Sequence, residues 1–546
     1  MCRILRRGLW LGYSADTDFD AVFGGPGLAV FSRSLAAVLL SFTIASGHIA
    51  LHAQDEKKDD AKAEHKDEKP TPVPPESAVV THHEWKAADA PVAYTATAGN
   101  LVIHDDDEKP YGSVFYVAYT ADGVANQGTR PITFLYNGGP GAATIWLHMG
   151  SVGPMRVVTA SPNATGAAPY KLVPNEYSLL GKTDLVFIDA VGTGFSKPVG
   201  KATEKDFAGT DQDVKAFERF IERYITVNKR WNSPKYLMGE SYGTTRSAAL
   251  ADALQEKGIE LNGVVLISSI LNYAVRVPGY DTEPIVYLPS YAAIAWFHNK
   301  LAQKPADLKS FLEEVRRYAR GPYAEALAQG DGLPVAERDA VAQKLSAYTG
   351  LSVDYLKQTN LRINPSRFRK ELLRDEREIM GRYDARFEGT DIDAAGETPG
   401  YDPSDTGIAG AFIAAFHDYL SHDLNDTTAD TYYVSGPKVN ESWDWKHKDP
   451  SGRGRPLQLP YVAGDLADAM RKNPKLKVFS ANGYFDLATP FFSTEYDLDH
   501  MYLEPALRGN VEFGYYPAGH MIYLNLEALK GFREDMNHFY AEMAHP

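Results

Sequence analysis

Lys235-Tyr236-Leu237-Met238-Gly239-Glu240-Ser241-Tyr242-Gly243 is the stretch on which the fold turns. Lys235 to Met238 reads as a short strand, and Thr244 to Glu256, rich in Ala and Leu, reads as the helix that follows it. Glycines two residues either side of Ser241 relieve crowding in a sharp strand-to-helix turn, the geometry that lifts a serine hydroxyl above an α/β sheet. Two other segments belong with it: Asn137-Gly138-Gly139-Pro140-Gly141, about a hundred residues earlier, and Ala518-Gly519-His520 near the end. Together they point to acyl transfer by a serine.

Working outward, Ile132 to Tyr136, Leu185 to Ile188 and Val264 to Ile267 are largely continuous apolar runs, as expected for strands covered on both faces. Val214 to Ile225 has helical periodicity, so strand, helix, strand-turn-helix and strand build a parallel, doubly wound sheet. Before it, Val92 to Thr97 and Gly112 to Tyr119 read as antiparallel strands, with turn signals at Ala98-Gly99-Asn100 and Ala121-Asp122-Gly123. After Ile270 the strand rhythm stops for about two hundred residues, in which Leu308 to Tyr318, Val335 to Ala347 and Arg367 to Arg374 look helical. It resumes at Leu476 to Ser480 and Val511 to Phe513, and a helix from Leu526 to about Met543 closes the chain. The predicted organisation is an export segment at 1–53, a disordered charged and Pro-rich linker at 54–82, a core in two parts at 83–271 and 476–546, and a large, helix-rich cap insertion at 272–475.

The 546 residues carry a net charge of −15, which offers no basic stripe for nucleic acid. Cys2 is the single cysteine, so no intramolecular disulfide can form. With no HExxH, no Walker loop and no cysteine cluster, neither a metal nor another cofactor is expected. Leu35 to Ala53 contains no Lys, Arg, Asp or Glu and follows Arg33, the pattern of a signal peptide cleaved near Ala53 for a periplasmic or secreted product. Left uncleaved, the same run would anchor the chain to a membrane. The long stretch ahead of Arg33 is explained by a start site assigned too far upstream.

Serine chemistry needs a base beside the nucleophile, an acid orienting that base, and donors for the oxyanion. Asp486, in Asn482-Gly483-Tyr484-Phe485-Asp486, and His520 each lie just past a strand and follow Ser241 in the order Ser, Asp, His. Taken singly, Asp486 also fits a turn cap, with Asp497 and Asp499 as rivals, and His520 a core histidine, with His500 and His538 as rivals. The N–H groups of Gly139 and Tyr242 are the candidate oxyanion donors.

The ordered motifs resemble the serine carboxypeptidase family, peptidase family S10, in its bacterial-type, disulfide-free form. The resemblance is carried by Asn137 to Gly141, by Asn175-Glu176-Tyr177-Ser178, by Asp189-Ala190-Val191-Gly192-Thr193-Gly194-Phe195-Ser196, by the Ser241 turn and by the His520 segment. It implies the α/β-hydrolase fold, the triad Ser241, Asp486 and His520, peptide substrates cut at the C-terminus through an acyl-enzyme, and a substrate carboxylate held by Asn137 and Glu240. Three positions depart from the family pattern: Ser151 stands where a second acid pairs with that glutamate, Leu135 where a tryptophan is usual, and Ala142 where a cysteine is. Two other functions fit the same residues: an esterase or acyltransferase using the same triad, and a non-catalytic periplasmic binding protein on a hydrolase fold.

Overall fold

A computed structural model of the chain describes residues 70–86 and 91–543, and the expected export segment lies outside them. In chain order the strands are β1 (Ala78–Lys86), β2 (Pro91–His104), β3 (Pro110–Ala121), β4 (Ile132–Tyr136), β5 (Met155–Val157), β6 (Leu172–Pro174) and β7 (Asp184–Ile188). They continue as β8 (Lys197–Pro198), β9 (Lys235–Glu240), β10 (Gly263–Ile267), β11 (Glu378–Met380), β12 (Glu388–Thr390), β13 (Lys477–Gly483) and β14 (Val511–Tyr516). One 10-stranded sheet runs β1-β2-β3-β7-β4-β9-β10-β13-β14, with β8 on β3. The strands from β7 to β14 pair in parallel, and β1, β2 and β3 add an antiparallel edge. This is the mostly parallel, doubly wound sheet expected of the α/β-hydrolase fold.

Alternation along the central strands divides the core. Leu135, Phe187, Met238, Val265 and Phe479 face a layer that includes the helices Ala409–His422 and Leu526–Met543. Their neighbours Phe134, Val186, Leu237, Val264 and Val478 face the helices Thr210–Val227, Tyr242–Glu256 and Ala463–Lys472. Each such side chain, fully removed from water, contributes roughly 1.5–3 kcal/mol. The helix Ala463–Lys472 falls inside the range 272–475 and packs on the sheet's helix layer.

Two expectations are corrected. Ala98-Gly99-Asn100 is not a turn, because β2 runs straight through it beside β1. A Cβ on Gly99 would fall 2.5 Å from the Ser77 carbonyl oxygen, so the glycine makes room for a neighbouring backbone. The linker does not extend to residue 82 either, since β1 begins at Ala78. Ahead of it, Glu76 accepts from Val102 N at 2.8 Å and pairs with Arg223 at 2.6 Å.

Residues 272–475 hold the expected helices, at Leu308–Tyr318, Val335–Thr349 and Pro365–Glu371, and others that the sequence reading passed over: Ala409–His422, Ala463–Lys472 and, most fully hidden, Thr282–Phe297. That helix is apolar on nearly every face and holds Pro289 inside it, so neither an amphipathic period nor an unbroken run marks it. Val286, Leu288, Tyr291 and Ile294 build a third core with Phe485 and Leu487, the neighbours of Asp486.

Candidate active site

The turn after β9 is under strain. Ser241 sits at φ 59° and ψ −130°, a left-handed conformation that costs a non-glycine residue about 1–3 kcal/mol. Its backbone is pinned by a hydrogen bond from Ser241 N to Ile267 O at 3.0 Å, at the end of β10. A Cβ on Gly239 would lie 2.2 Å from the Gly243 carbonyl oxygen, so the turn can close only over a glycine. The result is a partly exposed serine between two buried residues, Glu240 and Tyr242.

The turns after β13 and β14 bring two distant side chains together. His520 Nδ1 lies 2.8 Å from Asp486 Oδ2, and both are buried. Asp486 also accepts from Ala488 N at 2.7 Å, Thr489 N at 3.0 Å and the Thr489 hydroxyl at 2.8 Å, which satisfies its carboxylate. The His520 backbone is fixed by Tyr383, whose carbonyl accepts from His520 N at 2.5 Å, and by Ser268, whose hydroxyl donates to His520 O at 2.6 Å. Burial lowers the proton affinity of His520, but bonded Asp486 and nearby Glu240 outweigh it and raise the group above its ordinary 6.5. The rivals lie elsewhere: Asp497 accepts from Leu271 N at 3.2 Å, and His500 bonds to Tyr496 O at 2.7 Å.

The loop after β4 folds onto the same turn. A Cβ on Gly138 would fall 2.4 Å from Tyr242 N and 2.6 Å from Gly243 N, so the two backbones pass in direct contact. Gly139 and Tyr242 have no backbone acceptor for their N–H groups among the described residues. A partly exposed serine, an imidazole–carboxylate pair and two free N–H donors are the parts an acyl transfer needs.

Asn137 and Glu240 meet beneath the loop. Asn137 Nδ2 donates to Glu240 Oε1 at 2.8 Å, while its Oδ1 accepts from Leu147 N at 2.9 Å. Glu240 Oε2 is buried with no hydrogen-bond partner among the described residues, although the Tyr523 hydroxyl lies close enough to favour its charge. Burial pushes the Glu240 carboxyl up to about 7, against the opposing pull of His520, Tyr523 and Asn137. Ser151 takes no part here, because its hydroxyl donates to Leu147 O at the end of the helix Ile145–Gly150.

Sequence reasoning missed the support under this arrangement. Arg246 is fully buried and donates to both Asp213 oxygens, Nε to Oδ2 at 2.7 Å and Nη2 to Oδ1 at 3.1 Å. Its Nη1 donates to Asn137 O at 2.8 Å, and the Tyr242 hydroxyl donates to Asp213 Oδ2 at 3.3 Å. One ion pair therefore holds the glycine-rich loop and the residue after the serine.

Residues 88–324 match the family model described as serine carboxypeptidase. Among curated relatives, the chain is 30% identical over 161 residues to the pheromone-processing carboxypeptidase KEX1 of Cryptococcus gattii, covering 28% of this chain and 23% of that protein. It is 32% identical over 168 residues to the protein of the same name from Saccharomyces cerevisiae, covering 29% of this chain and 22% of the other. The chain thus spans less than a quarter of the length of these relatives. The crystal structure of the Saccharomyces cerevisiae prohormone-processing carboxypeptidase superimposes with a TM-score of 0.51 at 16% identity, over 82% of this chain and 91% of that one, and shares its fold.

Proposed function

We infer that this chain belongs to the serine carboxypeptidase family and is a serine hydrolase that releases C-terminal residues from peptides. Ser241 attacks the scissile carbonyl while His520 takes its proton, with Asp486 orienting the imidazole and stabilising the imidazolium. The N–H groups of Gly139 and Tyr242 receive the oxyanion. The bond to the leaving amine breaks as His520 returns the proton, and water then hydrolyses the acyl-enzyme by the same route.

The observation that carries the carboxypeptidase reading is the Glu240 carboxyl, buried one residue from the nucleophile, with only the Tyr523 hydroxyl near its Oε2 among the described residues. A carboxyl raised to about 7 is largely protonated in mild acid and can then donate to a substrate carboxylate, a contact that two anions could not make. The test compares a blocked dipeptide bearing a free C-terminus with its amide. A preference for the free acid on the order of 10²-fold or more is expected. Equal rates would return the assignment to an esterase or acyltransferase.

The same residues set the pH dependence. Glu240 must hold a proton to bind the terminal carboxylate, and that form is lost as pH rises through about 7. His520 must be neutral to act as base, and that form is lost as pH falls through its raised value. The productive state holds one proton on the pair, and the proton sits on Glu240. kcat/KM for a free-acid peptide is therefore expected to follow a narrow bell centred near neutrality. In Glu240→Gln the alkaline limb should disappear, since the amide cannot ionise. The acid limb should move to lower pH, because no anion then holds the proton on His520. An alkaline limb that persists in the variant would remove Glu240 from carboxylate binding.

Export to the periplasm or medium is part of the same proposal and rests on the charge-free run Leu35 to Ala53. N-terminal sequencing of the exported protein should find a start near residue 54, and a mature chain that retains Met1 would refute it.

A further inference from the structure

Arg382 lies in the insertion between β11 and β12, and its backbone is tied to the turns that carry Asp486 and His520. Its amide donates to Asp402 at 3.1 and 3.2 Å, and its carbonyl accepts from Leu487 N at 3.1 Å. The next carbonyl, of Tyr383, accepts from His520 N at 2.5 Å. The guanidinium carbon stands 5.7 Å from the centre of the Tyr383 ring, and that ring stands 5.3 Å from the centre of the His520 imidazole.

What separates Arg382 from its neighbours is an unused fork of donors. Arg386 is bound to both oxygens of Asp384 and to Pro517 O, and Arg276 Nη2 donates to Ala488 O at 2.6 Å. The Arg382 guanidinium, only partly exposed, makes no hydrogen bond or ion pair among the described residues. The nearby acids do not need it: Asp486 already accepts four hydrogen bonds, and Asp402 is engaged by the Arg382 amide and by Ser404 N and Oγ. Its charge nevertheless reaches the site, since it opposes protonation of His520. Burial disfavours the charge, and the surrounding Tyr383, Tyr287, Asp402 and Asp486 keep it in place.

We propose that Arg382 is the seat for a carboxylate of the peptide substrate, supplying from the insertion the contact that Ser151 does not. A guanidinium offers two parallel N–H donors that match a carboxylate, and forming that pair engages donors that no other described group takes up. The proposal rests on the hydrolase reading above. The carboxylate is either the C-terminal one or the side chain of a Glu or Asp beside the scissile bond.

The test uses the full-length protein and three blocked substrates: a peptide with Glu beside the scissile bond and a free C-terminus, its Gln counterpart with a free C-terminus, and a neutral ester with no carboxylate. Arg382→Gln is expected to lower kcat/KM about 10- to 100-fold on the carboxylate-bearing substrates, mainly through KM, with a loss at least tenfold smaller on the ester. Arg382→Lys should recover part of the loss. A deficit on the Glu peptide alone assigns the side chain as the source, and equal deficits on both free acids assign the terminus. A deficit of the same size on the ester would overturn the proposal while leaving the hydrolase reading intact. Wild-type protein inactive on all three and unlabelled by a fluorophosphonate would overturn both. Should Arg382→Gln fail to fold, the wild-type ester reaction decides: N-acetylglutamate should inhibit it at least tenfold more strongly than N-acetylglutamine amide, and equal inhibition would overturn the proposal.

Discussion

Replacing Ser241 with alanine is expected to lower kcat by on the order of 10⁴ to 10⁶ while leaving the thermal unfolding transition in place. Alanine meets the same left-handed penalty at φ 59° that serine already bears, so the strain in the turn is unchanged and the hydroxyl alone is removed. His520→Ala should cost a similar factor, and Ser241→Ala/His520→Ala little more than either single change, because the two act as one unit. Residual turnover should then come from the N–H donors of Gly139 and Tyr242, which neither substitution touches. Steady-state kinetics beside fluorophosphonate labelling reads this directly, and a Ser241→Ala protein that still hydrolyses at the wild-type rate would eliminate the assignment.

The candidate site was legible in the sequence where the backbone is the constraint. Gly138 and Gly239 stand where a Cβ would strike another backbone, and such positions leave an unmistakable spacing of glycines. Asp486 and His520 were placed by the ends of β13 and β14, strands that announce themselves as apolar runs. What stayed hidden lacked such a signature. β1 carries polar residues on its exposed face beside a charged tract, and the helix Thr282–Phe297 has no polar face to set a period. Asp213 and Arg246 look like ordinary charges on two helices of an acidic protein, and only the packing of those helices brings them together in a dry layer. Arg382 is about a hundred residues from Asp486 in the chain, and no local pattern links them.

The hidden ion pair carries the largest expected effect on stability. Arg246→Met should destabilise the protein by about 3–5 kcal/mol, the cost of leaving Asp213 as a buried charge without its partner. The guanidinium also lies against aromatic rings, 4.1 Å from the centre of Phe217 and 5.0 Å from that of Tyr136, so methionine keeps the apolar contacts and isolates the loss of charge. Burial already raises the Asp213 carboxyl above its ordinary value, with Arg246 and Tyr242 opposing the shift. Without the arginine that opposition weakens and the folded-state value climbs further. A group whose folded value exceeds its unfolded one loses stability as pH rises, so the Arg246→Met protein should melt closer to wild type near pH 4.5 than near pH 8. Arg246→Met/Asp213→Leu should recover most of the loss at every pH, because no charge then remains to be paired. Activity should not return with it: the Asn137 carbonyl and the Tyr242 hydroxyl lose their anchors in the double variant too, and the loop over Ser241 is free to drift from the positions its N–H groups must hold. Thermal melts at the two pH values with parallel kinetics separate these effects, and a double variant that regained both stability and full turnover would show that the pair holds the fold alone.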